Sequence, residues 1–426
     1  MNTLNKQQKN KVLDRIKKAV LTHHFNVSGV DYDAWTAELE SHRELLLSGD
    51  AESFENGVKE LLSELKSSHT GFYHERPNRL FPQHTINATL KSFDLDDRPV
   101  WFFLDIFQEG PADLAGIKPG DTLWTVDRKE YSPPDLPLFR LGQAHQLTVS
   151  NSHGENRRTV TITLPARKSS KNAPPMLGPK AITTRSLTPG VGLLRITWFP
   201  GSMGLAFSAS LDKAVSALKA QGCDRLVIDL RGNLGGGLGF ARLCSYLCPD
   251  KRPIGYSLTP QRQRRGYGLH ELEHVMYPKN RLQLVQRLTR FAFKDKSIFL
   301  LTQGLGTQPF HGRVSILVNE WTNSAAEMVV AFAAENRLAT IVGEKTAGNV
   351  LGAISMKVGS GFFLRLPIFG WHTASGPTLE GVGVQPTVRV TVDPARLGAG
   401  DDSQLTEAIL LTSQASLPRA HHETVS

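Results

Sequence analysis

The spacing of apolar residues changes along the chain, and the first change separates an N-terminal helical region from a region of predicted β-strands. Across residues 1–80, apolar side chains recur every three to four positions on a polar background, the spacing of amphipathic helices. This pattern predicts helices up to the stretch KSSHTGFY. The apolar positions on the predicted helix faces are Val12, Ile16, Val20, Leu21, Phe54, Val58, Leu61, Leu62 and Leu65.

Residues 85–166 have the shorter period of β-strands. VWFFLDIF is an apolar strand run, and HQLTVSN and NRRTVTITLPA alternate apolar and polar positions as the two arms of a hairpin do. Between them, GPADLAGIKPGDTLWTVD predicts a short helix, a Gly-Asp turn and another strand. The stretch at 167–179, RKSSKNAPPMLGP, is too polar to bury and is interpreted as a linker.

From about 180 to 412, predicted strands and helices alternate, which indicates an α/β core. Helices are predicted at 204–220, 238–247 and 325–336, and the tail at 413–426 is expected to be disordered. The predicted strands are VGLLRITWF, DRLVIDLRG, VSILVNE, LATIVGE and GFFLRLPIF.

Composition excludes several classes of protein. The chain has 426 residues, of which 40% are hydrophobic and 21% charged, and no apolar run approaches the roughly 20 residues of a membrane span. The net charge of +9 is dispersed; its densest run, QRQRRG at 261–266, is interpreted as a solvated loop. We therefore expect neither a membrane nor a nucleic-acid partner.

Cysteine content and the N-terminus bear on the compartment. Three cysteines make no disulfide framework, and Cys244 and Cys248, four positions apart on a predicted helix, are expected to be buried thiols. The N-terminus lacks the apolar centre of a secretory signal. A cytoplasmic location is expected, or a periplasmic one if a leader has been removed.

One motif suggests a metal. His270-Glu271-x-x-His274 matches the zinc-protease pattern, which needs both imidazoles on one helical face. RRGYG precedes the motif and Pro278 closely follows it, so any helix there is short, and no third ligand stands out downstream. We predict a loop over the core, no metal and no cofactor.

Ser324 stands where a strand run gives way to a helix, in VSILVNEWTNSAAEMVV. Ser324 and Glu327 form a capping box, which alone explains the serine. A nucleophile at the same place is compatible with the cap, because a helix N-terminus stabilises developing negative charge. The stretch VIDLRGNLGGG, 227–237, adds a glycine loop that lets the backbone approach a ligand closely but lacks a phosphate-binding signature.

The order of these motifs resembles the C-terminal processing (tail-specific) peptidases, serine proteases with a crotonase-like core. GPADLAGIKPGD closely resembles a PDZ domain, DLRGN-GGG, SAAE and GEKTAG come next in the order of that family, and the resemblance covers almost the whole chain. It implies a mixed α/β fold with an N-terminal helical region and an inserted PDZ-like β domain. It also implies that Ser324 is the nucleophile, and that Gly235 or Gly236, with the N–H of Ala325, forms the oxyanion hole.

The chain departs from the best-known branch of that family, which uses a Ser-Lys dyad. Asn349 stands where the lysine is expected, and Lys345 lies four residues early. Asparagine cannot accept the serine proton at neutral pH. The dyad is therefore not expected here.

A second branch, resembling the tricorn core protease, uses a Ser-His-Ser-Glu tetrad. SSHTG places Ser68 and His69 at the corresponding point of the chain, and LEGVGVQPT places Glu380. The resemblance implies that His69 accepts the Ser324 proton while Ser68 and Glu380 hold the imidazole. Three other histidines are alternative bases: His74, His311 and His372.

The function expected from this resemblance is a serine endopeptidase that cleaves peptides or unfolded proteins through an acyl-enzyme. The PDZ-like domain would capture a chain end as an added strand, and the family resemblance alone suggests a homo-oligomer formed through the helical N-terminus. The alternative is a non-catalytic peptide- or lipid-binding protein, since the core also resembles the repeats of the interphotoreceptor retinoid-binding protein.

Overall fold

The N-terminal region forms three helices, each begun by a side-chain cap. The structure, a computed structural model, describes residues 4–74, 79–166, 180–201, 203–278, 283 and 296–414. The carboxylates or amide of Asn5, Asp31 and Asp50 accept backbone N–H groups of the first turns. The predicted apolar faces are buried except at Leu21, which is 41% exposed because it lies about 100° around the helix from Val20. The helices are Lys6–His23, Tyr32–Ser48 and Ala51–Ser63.

A largely parallel sheet forms the centre of the core. Its middle strands, Arg225–Asp229 and Val314–Val318, are almost completely buried because helices cover both faces. In order, its strands are Ile182–Thr188, Val191–Ile196, Arg225–Asp229, Val314–Val318, Thr340–Gly343 and Val388–Arg389; the first pair is antiparallel. Helices Leu205–Ala220, Phe240–Leu247 and Ala325–Glu335 contribute to the main apolar cluster, and Ser403–Ser413 packs on the other face.

A second sheet joins distant parts of the chain. The strand Gly71–His74, directly after the SSHT stretch, pairs antiparallel with Phe362–Thr373. This pairing brings the end of the helical region to the core. The sheet runs Gly71–His74, Phe362–Thr373, Pro253–Leu258, Ile298–Leu301 and Glu273–Met276, with Gly352–Gly359 also paired to Phe362–Thr373.

The inserted β domain, residues 85–166, contains a third sheet with the predicted hairpin. Ala144–Ser150 and Arg158–Thr163 pair antiparallel, and the short helix Pro111–Leu114 lies where GPADL predicted it. The fold class is therefore mixed α/β, as predicted. The sheet order is Ala88–Leu95, Arg98–Ile106, Thr122–Val126, Ala144–Ser150 and Arg158–Thr163, with Lys129–Glu130 beside Thr122–Val126; Arg79–Leu80, just before the helix Pro82–Thr85, pairs with Phe139–Arg140.

Three expectations from the sequence need correction or lie outside the structure. QRQRRG is not a loop: Pro260–Arg265 is a short helix, because the Thr259 side chain accepts the Arg262 N–H and Pro260 begins the first turn. The zinc-like motif is not a loop either, since Leu269–Glu271 is a 3-10 turn and Glu273–Met276 a sheet strand. The predicted linker at 167–179 and residues 415–426 of the tail lie outside the described residues.

Three further features complete the fold. The last short helix before Ser403–Ser413 is Pro394–Gly398, capped by Asp393. All three cysteines are buried free thiols, as expected for Cys244 and Cys248. Within the described residues, no helix is both long enough and apolar enough to cross a membrane.

Candidate active site

Ser324 lies at a strained turn between the strand Val314–Val318 and the helix Ala325–Glu335. Its backbone has φ 54° and ψ −119°, a combination that costs a non-glycine residue about 1–3 kcal/mol and that clusters at functional sites. The Glu327 half of the predicted capping box is present, with its carboxylate accepting the Ser324 N–H at 2.9 Å, whereas the Ser324 side chain makes no capping hydrogen bond. The cap therefore exists in part, but the strained backbone goes beyond what capping requires.

The Ser324 turn is bonded to the glycine loop that comes after Arg225–Asp229. The Asn323 N–H donates to the Asn233 carbonyl at 2.8 Å, and the Thr322 hydroxyl donates to the Leu230 carbonyl at 2.9 Å. A Cβ added to Gly235, where φ is +82°, would lie 2.6 Å from the Ser324 Cβ. Only glycine fits this position, since the contact and the positive φ both exclude a side chain.

The backbone donors of the glycine loop differ in whether they are already used. The Gly235 N–H donates to the Asn233 side-chain oxygen at 2.8 Å, and the Gly237 N–H donates to the Phe199 carbonyl at 2.8 Å. Within the described part of the chain, neither Gly236 N–H nor Ala325 N–H has an acceptor. Gly236 and Ala325 line the same cavity as Ser324, so these two N–H groups are available to an oxyanion there.

His69 lies in the tight turn that joins the helical region to Gly71–His74. It has φ +61°, and its Nδ1 lies 2.9 Å from the Ser68 hydroxyl. Glu380 accepts the Ser68 N–H at 2.9 Å through Oε1 and the Val350 N–H at 2.9 Å through Oε2. Glu380 thus fixes the backbone beside the histidine, whereas Ser68 is the member of the predicted tetrad that touches the imidazole.

The environment keeps the His69 imidazole neutral. Burial lowers its pKa to about 4, and the positive charge of Arg365 acts in the same direction. Both His69 and Ser68 line a cavity of about 950 Å³ that the glycine loop, Gly235 to Gly237, also lines. No hydrogen bond joins Ser324 to His69 directly, as is common in free enzymes before substrate tightens the site.

The turn that carries His69 is also held by a second histidine, which the sequence motifs do not single out. His24, 1% exposed, lies 2.9 Å from the Tyr32 hydroxyl through Nδ1 and 2.9 Å from the Ser67 hydroxyl through Nε2. Ser67 in turn lies 2.7 Å from the Thr70 hydroxyl. The turn carrying His69 is therefore anchored to the end of the first helix of the chain.

His24 predicts an acid-dependent loss of stability. Burial lowers its pKa from 6.5 to about 4, so the folded state favours the neutral ring. The stabilisation is complete above pH 6.5 and lost as pH falls toward 4, amounting to about 3 kcal/mol. Denaturant titrations at pH 7 and pH 4.5 should therefore show a smaller pH effect in His24→Gln than in the natural chain.

The exposed neighbour His23 provides the matched control. His23→Gln should keep the full acid-dependent loss. An equal loss in His24→Gln and His23→Gln would show that His24 does not titrate in this window.

Asn349 occupies the position that a lysine has in a Ser-Lys dyad, and two hydrogen bonds hold this neutral residue in place. Its side-chain N–H donates to the Asn323 oxygen at 2.8 Å, and its backbone N–H donates to the buried Glu327 carboxylate at 2.9 Å. Lys345 is exposed and lines neither the 950 Å³ cavity nor a second cavity, of about 680 Å³, that Ser324 lines. Neither Asn349 nor Lys345 therefore offers Ser324 a base.

The alternative bases lie elsewhere. His74, His311 and His372 line neither the 950 Å³ cavity nor the second cavity at Ser324, and His372 stacks on Tyr256 with ring centroids 4.8 Å apart. Among the described residues, no group of three or more His, Cys, Asp or Glu side chains is placed to hold a metal ion.

The second cavity is lined by Ser324 and shares Gly236 with the 950 Å³ cavity. Its volume is about 680 Å³, and its walls are mainly apolar. Gly236 lines both cavities, whereas Ser324 and Ala325 line the second. The lining side chains include Met203, Leu238, Phe240, Met328, Val350, Leu351, Phe369 and Trp371, with Ser257 and Lys296 as polar members.

The inserted β domain is bonded to the same loops. Asp105 accepts the Asn319 side-chain N–H at 3.0 Å, and Asn319 accepts the Gly232 N–H at 3.0 Å. The Trp321 indole donates to the Leu90 carbonyl at 3.0 Å. The sheet thus packs against the turns that carry Ser324 and the glycine loop.

Comparisons with known proteins identify relatives of this chain. The model of Peptidase family S41 matches residues 190–390. The Carboxy-terminal processing protease CtpA of Bacillus subtilis is 24% identical over 296 residues, covering 67% of this chain and 53% of that protein. The Carboxyl-terminal-processing protease of a Picosynechococcus species is 23% identical over 321 residues, covering 71% of this chain and 64% of that protein. The chain therefore spans about half to two thirds of the length of these relatives.

Solved structures show the same fold. The photosystem II D1 C-terminal processing protease superposes with a TM-score of 0.54 at 18% identity, covering 96% of this chain and 98% of that one. Mature CPAF superposes with a TM-score of 0.57 at 14% identity, covering 97% and 99% of the two chains. At these identities the likeness concerns the fold alone.

Proposed function

We propose that this chain, whose residues 190–390 match the model of Peptidase family S41, is a serine endopeptidase that cleaves peptides or unfolded proteins through an acyl-enzyme. The observation that carries the proposal is the strained Ser324 turn, flanked by two N–H groups without acceptors among the described residues. A helix cap needs neither a strained backbone nor unpaired N–H groups. A serine nucleophile needs N–H donors that are free to stabilise the oxyanion.

In the proposed mechanism, His69 is the base. The His69 Nδ1 lies 2.9 Å from the Ser68 hydroxyl. In this scheme Nδ1 carries the proton and donates it to that hydroxyl, which leaves Nε2 free to accept the Ser324 proton. Ser324 Oγ attacks the scissile carbonyl, and the tetrahedral intermediate collapses as His69 returns the proton to the leaving amine. Water then hydrolyses the acyl-enzyme by the same proton transfers. Ser68 and Glu380 are positioning residues in this scheme.

Gly236 and Ala325 are proposed to supply the oxyanion hole. The Gly235 N–H already donates to Asn233, so of the two glycines only Gly236 has a donor to offer. The proposed role of Gly235 is steric: because it has no side chain, the glycine loop can approach Ser324 closely. Two preorganised backbone donors stabilise the developing charge without reorganisation during the reaction.

The apolar cavity at Ser324 is proposed to receive the side chain on the acyl side of the scissile bond. Met328, 9% exposed, forms part of its wall. Peptides with a large apolar residue before the scissile bond should be cleaved about tenfold or more faster than peptides with alanine there. Met328→Trp should fill the cavity and reverse that preference, as measured by kcat/KM on the two peptides.

Covalent labelling of Ser324 by a small fluorophosphonate serves as the folding control for Met328→Trp. Retained labelling with reversed preference would support the assignment of this cavity. Retained labelling with the preference of the natural chain would count against it.

The inserted β domain is proposed to capture substrate in the manner of a PDZ domain. Two observations support this: the domain combines a six-stranded sheet with the short helix Pro111–Leu114, and it is hydrogen-bonded to the loops of the site. Strand addition at a sheet edge would deliver an extended chain end to Ser324.

The proposed activity is tested by hydrolysis of an unfolded protein such as reduced, alkylated casein. The natural chain should release new N-termini, and Ser324→Ala should release none above background. Equal release by both proteins would show that the cleavage does not use Ser324.

A second candidate function is a binding protein for apolar ligands, favoured by the mostly apolar cavity. It predicts lipid that co-purifies with the chain and a function that survives Ser324→Ala. Mass spectrometry of organic extracts from the purified protein, set beside the casein assay, distinguishes the two.

A further inference from the structure

A buried asparagine, Asn319, lies where the glycine loop meets the Ser324 turn, and the proposed mechanism does not use it. It directly follows the strand Val314–Val318 and is fully buried. Its side-chain oxygen accepts the Gly232 N–H at 3.0 Å and the Trp321 N–H at 3.1 Å. One amide oxygen therefore joins the start of the glycine loop to the segment that leads into Ser324.

The nitrogen of the same amide is held by the inserted β domain. It donates to Asp105 Oδ2 at 3.0 Å, and the Thr89 hydroxyl donates to the same oxygen at 2.7 Å. Arg195 Nη2 lies 3.6 Å from the other oxygen of this carboxylate. A carboxylate accepts and a backbone N–H donates, so the partners of Asn319 allow only one orientation of its amide. Asp105 therefore determines that the amide oxygen faces the glycine loop.

The inserted domain also packs directly against the start of the glycine loop. A Cβ added to Gly232 would lie 3.0 Å from Asp105 Oδ2 and 2.9 Å from Phe107 Cε1. Contacts this short leave no room for a side chain, so the loop backbone lies against the domain. The hydrogen bond through Asn319 and this packing fix the same point of the loop.

A short series of hydrogen bonds leads from Gly232 to the proposed oxyanion donor. The next residue, Asn233, accepts the Asn323 N–H at 2.8 Å through its carbonyl and the Gly235 N–H at 2.8 Å through its side chain. Gly236 follows directly. An oxyanion donor acts over about 2.7–3.1 Å, so a displacement that begins at Gly232 weakens the stabilisation at Gly236.

We propose that Asn319 is a positioning residue for the oxyanion hole, and that Asp105 of the inserted domain orients its amide for this role. Neither residue lines the two cavities of the site, so both act through the backbone of Gly232 and Trp321. The inference rests on the proposed function and adds to it that the inserted domain completes the geometry of the site, independently of any substrate that it binds.

Exchanging the two side chains tests the pair. Asn319→Asp places a carboxylate oxygen where the amide nitrogen now lies 3.0 Å from Asp105, and like charges at that distance repel. We expect kcat to fall about 10- to 100-fold on a peptide with a large apolar residue before the scissile bond, while KM changes by less than about threefold. Adding Asp105→Asn restores one amide and one carboxylate in exchanged places and should recover about tenfold or more in kcat.

Asn151→Asp is the matched control. The Asn151 side-chain oxygen also accepts two backbone N–H groups, of His153 at 3.1 Å and Glu155 at 2.8 Å, but no described carboxylate accepts from its nitrogen. This variant should therefore retain the kcat of the natural chain. Thermal unfolding of each variant shows whether a loss of turnover is a loss of folded protein.

Hydrogen–deuterium exchange supplies a measurement that does not depend on turnover. In peptides covering residues 230–237 and 319–324, amide exchange should become about tenfold or more faster in Asn319→Asp and return toward the natural rate in the exchanged double variant. Asn151→Asp should leave exchange in both peptides unchanged.

Two results would overturn the inference. The first is an Asn319→Asp protein with the turnover and amide exchange of the natural chain. The second is a double variant that gains neither folding, turnover nor slower exchange over Asn319→Asp. If the natural chain hydrolyses no peptide but exchange follows the expected order, the proposed peptidase activity fails, whereas the positioning of the glycine loop by Asn319 stands.

Discussion

His69→Ala is expected to lower peptide turnover at pH 7 by about 10²- to 10⁴-fold, the range contributed by a positioned general base. The reason is that Asn349 replaces the dyad lysine, while Lys345 and the cavity-lining Lys296 are both exposed to solvent. The assay is kcat/KM on a peptide with a large apolar residue before the scissile bond.

His372→Ala is the matched control, because His372 stacks on Tyr256 away from both cavities. It should retain near-normal turnover. The pH profile adds a second test: with a pKa of about 4, His69 is deprotonated above that value, so activity should persist at pH 5 and fall as pH drops through 4. Equal losses in the two variants would remove His69 from the mechanism.

Gly235→Ala is expected to have the second largest effect, a loss of about 10²- to 10³-fold in kcat. The added Cβ would lie 2.6 Å from the Ser324 Cβ and 2.9 Å from the Ala325 nitrogen. Either the serine or the glycine loop must move, and both displacements spoil the alignment of nucleophile and oxyanion donors. Fluorophosphonate labelling and peptide turnover should fall together.

Gly222→Ala separates this effect from backbone strain. Gly222 has φ +78°, close to the +82° of Gly235, but an added Cβ meets nothing within 4 Å. Both variants therefore share the strain of a left-handed alanine, about 1–2 kcal/mol, and differ in the clash. If Gly222→Ala loses as much activity as Gly235→Ala, the proposed role of the glycine loop is contradicted.

The sequence was sufficient where local pattern decides the structure. The helix Leu205–Ala220 and the buried strands Arg225–Asp229 and Val314–Val318 are explained by periodicity and apolar runs, since a parallel sheet covered on both faces needs continuous apolar strands. QRQRRG forms a helix instead of the predicted loop, because Thr259 caps the helix and Pro260 begins its first turn.

The site needed information that no local pattern contains. Ser68 and Glu380 are 312 positions apart, and only the family resemblance placed them together; the structure shows Glu380 accepting the Ser68 N–H. The choice of Gly236 over Gly235 depends on one bond to Asn233.

Whether Ser324 is an activated nucleophile is best decided by fluorophosphonate labelling of the natural chain, with the modified residue mapped by mass spectrometry, at pH values from about 6 to 9. An activated serine predicts a single adduct on Ser324, absent in Ser324→Ala and formed far more slowly in His69→Ala. Folded protein that takes up no label at any of these pH values would contradict the proposed mechanism and leave Ser324 as the cap of its helix.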